Sequence, residues 1–105
     1  MKILFDQGTP VPLRRLLAEH TIATTYELGW AALTNGKLLA AAEQAGYELL
    51  ITTDQNLRYQ QQLAGRPLTI LVLMSTSWPR IKLRGDAISA LVNEIQPGSY
   101  HGLQV

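Results

Sequence analysis

Three acidic side chains, Asp6, Glu27 and Asp54, each stand just past a short apolar or β-branched segment. Carboxylates recurring at that place suit a hard cation, because oxygen donors are what Mg²⁺ and Mn²⁺ prefer. If the three converge within a few ångströms, their mutual repulsion has to be relieved by a proton or by such an ion. Ser75 and Thr76 follow a fourth apolar segment in the same way. Each acid also has a plainer reading. Asp6 and Asp54 precede expected helices and suit a cap or an Asx turn, and Glu27 suits a solvated loop. The residue types alone leave both readings open.

Other chemistries find less support. His20 and His101 are far apart and form no metal-ligand spacing. Cysteine is absent, which excludes a disulfide scaffold, a thiol nucleophile and a thiolate zinc site, and agrees with a reducing, cytoplasmic setting. Ser75, Thr76 and Ser77 lie in no G-x-S-x-G elbow, and Gly8 belongs to no phosphate-binding glycine loop.

The elements that must position the acids follow from patterning. The 105 residues, 47% of them hydrophobic, make one domain with one core. Apolar segments alternate with helical periodicity, the mark of βαβ units around a parallel sheet. Strands are expected at Lys2–Phe5, Ile22–Thr25, Leu49–Thr52 and Leu68–Met74, the last continuously apolar as in a central strand. Helices are expected around Leu13, Leu16 and Leu17, from Lys37 to Ala45 behind a Thr34 or Asn35 cap, from Asn56 to Leu63, and from Asp86 to Ile95. Residues 99–105 form a tail for which an edge strand, a dimer contact and disorder all remain open. Right-handed crossovers would bring the strand ends to one edge of the sheet.

The Met1–Phe5 segment is too short for a secretory core, and Leu68–Met74 is too short to span a membrane. A net charge of +1, from nine basic and eight acidic residues spread along the chain, names no partner.

Ile3-Leu4-Phe5-Asp6-Gln7 with Pro10, Tyr26-Glu27-Leu28-Gly29-Trp30, and Leu50-Ile51-Thr52-Thr53-Asp54-Gln55-Asn56-Leu57 together resemble a family of small bacterial PIN-like proteins. That family is a domain of unknown function related to the nucleases of toxin–antitoxin pairs. The resemblance runs through about Ile95. It implies an α/β, PIN-like three-layer sandwich with a mainly parallel four-stranded sheet in the order 3-2-1-4. It also implies a carboxylate cluster that holds Mg²⁺ or Mn²⁺ for hydrolysis of RNA phosphodiesters, with Asp6, Glu27 and Asp54 as metal-binding and catalytic residues. Gln7 and Asn35 stand where the family often has acids, and Asn56 lies beside them. An amide keeps an oxygen donor but removes a charge, so one ion is expected in preference to two, with weak catalysis or binding without turnover.

The resemblance further implies a small DNA-binding antitoxin encoded nearby and a homodimer. An RNA substrate needs cations, and Arg14, Arg15, Lys37 and Arg58 are the candidates; Tyr59 and Trp30 suit base stacking. Solvated helix faces explain the same cations, and core closure or a dimer contact explains Trp30. Two other functions compete: a PIN-like binding module without catalysis, and a phosphoacceptor receiver domain using Asp6, Asp54 and Ser75 or Thr76. Against the receiver stand Gln7, in place of a second acid, and the want of a clear fifth strand with its lysine.

Overall fold

Three strands carry almost no exposed side chain, and the fold is built around them. In the computed structural model, which describes residues 1–57, 65–96 and 98–105, they are β1 (Lys2–Phe5), β3 (Leu49–Thr52) and β4 (Thr69–Leu73). With β2 (Thr21–Thr24) and β5 (Tyr100–Leu103) they form one five-stranded, all-parallel sheet in the order β2-β1-β3-β4-β5. The α/β class is as expected. The four-stranded 3-2-1-4 order is not: β1 lies between β2 and β3, and the tail supplies a fifth strand paired from Ile70–Tyr100 to Leu73–Leu103. Tyr100-His101-Gly102-Leu103 has no apolar alternation, so its strand character comes from the open edge of β4.

Alternate residues divide the core into two layers. Ile3, Phe5, Leu49, Ile51, Leu71 and Leu73 face a first layer containing a 3-10 helix (Val11–Leu17), α2 (Trp78–Leu83) and α3 (Gly85–Glu94). Leu4, Leu50, Ile70 and Val72 face a second layer with α1 (Asn35–Gln44), Leu57 and Leu68. The helix expected over Asn56–Leu63 lies mostly outside the described residues.

The first crossover is a 3-10 helix for reasons of reach. Seven residues at about 2.0 Å rise cover about 14 Å, enough to run back along a four-residue strand of about 13 Å, whereas α geometry would cover only about 10 Å. Only Leu13 and Leu17 of this helix are buried, which leaves much of the first apolar face uncovered. Ile81 of α2 and Ile88 and Val92 of α3 cover it. No helix was expected between Met74 and Asp86, but proline is tolerated in the first turn of a helix, and α2 begins at Trp78-Pro79. Gly85 lets α3 approach the 3-10 helix: a Cβ there would lie 2.8 Å from Leu16 Cδ1.

This coverage also sets an unexpected topology. The β1–β2 connection moves toward the β2 edge over the first layer, and β2–β3 moves back over the second, so the two share one hand. The β4–β5 connection moves in the same direction as β2–β3 yet crosses the first layer. Its hand is therefore opposite, a departure from the expected uniformly right-handed crossovers. All strands stay parallel, so their C-terminal ends still share one edge.

Ile88→Ala removes a fully buried side chain from α3 and should lower the unfolding free energy by about 2–5 kcal/mol in urea titrations. A loss below about 1 kcal/mol would contradict the packing of α3 on the sheet.

Candidate functional site

Order β2-β1-β3-β4-β5 places the topological switch point between β1 and β3, since the chain leaves β1 toward one edge and returns past it to β3. Asp6 follows β1 and Asp54 lies two residues past β3. The Thr52 hydroxyl joins them. It donates to Asp6 Oδ2 at 2.9 Å and accepts from the Asp54 backbone N–H at 3.1 Å. Thr52 is fully buried, and both acids are half-buried.

The loops are laced together from below. Asp6 N–H donates to the Ile51 carbonyl (3.0 Å), which also accepts from the buried Thr9 hydroxyl (2.8 Å). Gly8 presses against the β3 loop, where an added Cβ would come 2.1 Å from Thr53 Oγ1. Each carboxylate oxygen accepts one bond: Asp6 Oδ1 from Gln7 N–H (2.8 Å), Asp54 Oδ1 from Asn56 N–H (3.0 Å) and Asp54 Oδ2 from Asn35 Nδ2 (3.2 Å). The Asn56 contact is an Asx turn, so the plainer reading of Asp54 holds for one of its oxygens. The other oxygen binds the first residue of α1. Thr34, not Asn35, is the N-cap of α1, and its side chain makes no capping bond. Asn35 therefore borders Asp54 through its side-chain amide, and Gln7 borders Asp6 as the next residue of the chain. Of the remaining site candidates, Lys37 is exposed in the first turn of α1, while Arg58 lies outside the described residues, as does Tyr59.

Glu27 is engaged elsewhere. Its Oε1 accepts from Arg14 Nη2 and from Thr24 N–H (3.0 Å), and its own N–H donates to Thr24 Oγ1 (3.1 Å). Arg14 Nη2 also donates to the Ile22 carbonyl at 3.1 Å. Because β2 is an edge strand, Arg14 and Glu27 together cap backbone groups that would otherwise offer a template for another strand. The Arg14 guanidinium, then the Thr24 N–H, hold the Glu27 carboxyl below the usual carboxylate range. An open cleft of about 530 Å³ runs here, lined by Arg14, Arg15, His20, Ile22 and Glu27 among others. Among the described residues, no group of three or more Asp, Glu, His and Cys side chains is placed to hold a metal ion.

The histidines and aromatics take structural places. His20 Nε2 meets Asn93 Oδ1 at 3.2 Å, and His101 Nε2 meets Ser99 Oγ at 2.9 Å. Trp30 packs edge-on against Tyr47 in the second layer, with ring centroids 6.2 Å apart. Ser75 Oγ accepts from Ser77 N–H at 3.0 Å at the entrance to α2. Among the described residues no helix is long and apolar enough to cross a membrane. No protein-family model matches the chain, and neither a characterised protein nor a solved structure matches it.

Glu27, depressed in the folded state, contributes stability that is fully present above its ordinary value of about 4.3 and is lost as pH falls through the lower folded value. The stability gap between the wild type and Glu27→Gln should accordingly narrow on acidification below about pH 4. Arg14→Ala should move the Glu27 carboxyl back up in an NMR titration. An unmoved carboxyl would show that Arg14 does not hold it.

Proposed function

We propose that this chain is a PIN-like protein of the toxin–nuclease type, with a reduced acidic site that binds one Mg²⁺ or Mn²⁺ at Asp6 and Asp54 and acts on RNA. The observation that carries this reading is the Asp6–Thr52–Asp54 link at the switch point between β1 and β3. Carboxylates, hydroxyls and side-chain amides without sulfur or imidazole suit a hard, hydrated ion, and Mg²⁺ keeps several waters while taking one or two protein carboxylates. Each carboxylate oxygen retains acceptor capacity beyond its one hydrogen bond. The ion, when bound, would lower the pKa of an attacking water and offset charge on the phosphodiester. Asp6 and Asp54 would hold it, Thr52 would orient Asp6, and Asn35 would orient Asp54. Glu27 would not belong to that set in this conformation, since Arg14 and Thr24 engage it. Arg14, Arg15, Lys37 and Arg58 are the proposed RNA-binding cations, cytoplasm the proposed location, and an antitoxin and a second copy of the chain the proposed partners.

A second reading, a PIN-like module that binds RNA or a protein without turnover, is favoured by the engagement of Glu27 and by Asn35 in place of a carboxylate. The receiver reading gains the fifth strand it lacked. It still meets Gln7 beside Asp6, and β5 is followed by Gln104 and Val105.

Mn²⁺ at about 100 times its dissociation constant should stabilise the fold by about 2.7 kcal/mol, read as a rise in Tm. It should also support cleavage of a mixed single-stranded RNA pool, and Asp54→Asn should remove both effects. Stabilisation without cleavage selects the binding module. Neither effect, with Asp54→Asn indistinguishable from wild type, defeats the cation site.

A further inference from the structure

A buried hydroxyl beside Asp6 lacks a partner among the described residues. Thr25 is 1% exposed, and its Oγ1 makes no hydrogen bond to any of them. Buried hydroxyls are almost always paired, so an orphan asks for a group that the protein itself does not supply.

The register shows where this hydroxyl lies. Phe5 pairs with Thr24, and the Thr25 N–H continues the ladder by donating to the Phe5 carbonyl at 3.0 Å, which sets Thr25 next to Asp6. On the other flank Phe5 pairs with Ile51, which sets Thr52 next to Asp6. Alternation sends Thr25 to the same side as Ala23, Asp6 to the side of Leu4 and Thr52 to the side of Leu50, and those three apolar residues all belong to the second layer. Asp6, one residue past β1, thus stands between Thr25, one residue past β2, and Thr52, the last residue of β3, with adjacent strands spaced about 4.8 Å apart. Thr52 bonds it; Thr25 does not. At a buried position just past a strand with no hydrogen bond to make, valine would fill the same volume with better packing.

We propose that Thr25 is a positioning residue of the Asp6–Asp54 site, its hydroxyl holding a water in the hydration shell of the bound cation on the flank of Asp6 opposite Thr52. This rests on the reading of that site as a cation site. A hydrated Mg²⁺ or Mn²⁺ offers water protons that need acceptors, and the threonine oxygen is an acceptor on a residue tied to the end of β1 by its own N–H. Partners of this outer kind commonly govern metal affinity by 10–100-fold.

Wild type, Thr25→Val and Thr25→Ser are to be compared by calorimetric Mn²⁺ titration and by Tm with and without Mn²⁺. The metal-free Tm of Thr25→Val should equal or exceed that of wild type, its Mn²⁺ affinity should fall about tenfold, and Thr25→Ser should recover most of the loss. Wild-type affinity in Thr25→Val overturns the role of Thr25 and leaves the cation site standing. Serine as damaging as valine overturns it too, because the hydroxyl is then not what matters. A wild-type protein that binds no Mn²⁺ removes the site and this inference together.

Discussion

The parallel ladder between β1 and β3 is the contact on which the rest of the molecule depends. Ile3, Leu4, Phe5, Leu49, Leu50 and Ile51 are no more than 1% exposed, so both faces of this seam lie inside the protein. Register there is strongly determined, because a slip of one residue would turn every side chain to the other layer. The polar row Thr25–Asp6–Thr52 begins where the apolar rows stop. Its geometry is inherited from the ladder below: Asp6 N–H still bonds the Ile51 carbonyl, and the Thr9 hydroxyl adds to the same acceptor. The acids are held at a place where rigid core ends and solvent begins, which suits precise positioning of a small ligand.

The two layers share the work of covering this seam unequally. On the second face α1 supplies Leu38, Leu39 and Ala42 beside Leu57 and Leu68, and its first residue reaches Asp54. On the first face the 3-10 helix offers two buried leucines, and the remaining apolar surface calls α2 and α3 over from beyond β4. The opposite hand of the β4–β5 crossover is the consequence. Burial of apolar area outweighs the chiral preference of a single connection, which a long two-helix segment can accommodate.

Acids at strand ends are not equivalent. Asp6 and Asp54 end central strands, where neighbouring loops hold them side by side. Glu27 follows an edge strand, where unpaired backbone groups and Arg14 are nearer than any other acid, and it settles on those. The Arg14–Glu27 pair is solvent-exposed, so its Coulombic contribution is modest; its geometric effect is to close the β2 edge.

The parallel α/β class, the positions of β1, β3 and β4 and the prominence of Asp6 and Asp54 were legible in the sequence, because continuous apolar runs and an acid just past them are local patterns. Gln7 is next to Asp6 by chain position alone, whereas the contact of Asn35 with Asp54 joins residues nineteen positions apart. The strand order, the fifth strand, α2 and the engagement of Glu27 were not legible. Tyr100–Leu103 becomes a strand because β4 has an open edge, and α2 forms because the first layer is short of cover. Glu27 turns away from Asp6 because Arg14, thirteen positions earlier, is carried to the same edge strand. What the amino-acid sequence determined by itself was which segments are apolar and which residues just past them carry carboxylates. What only the tertiary structure decided was which of those residues meet, since that depends on edges, layers and charges brought together from distant parts of the chain.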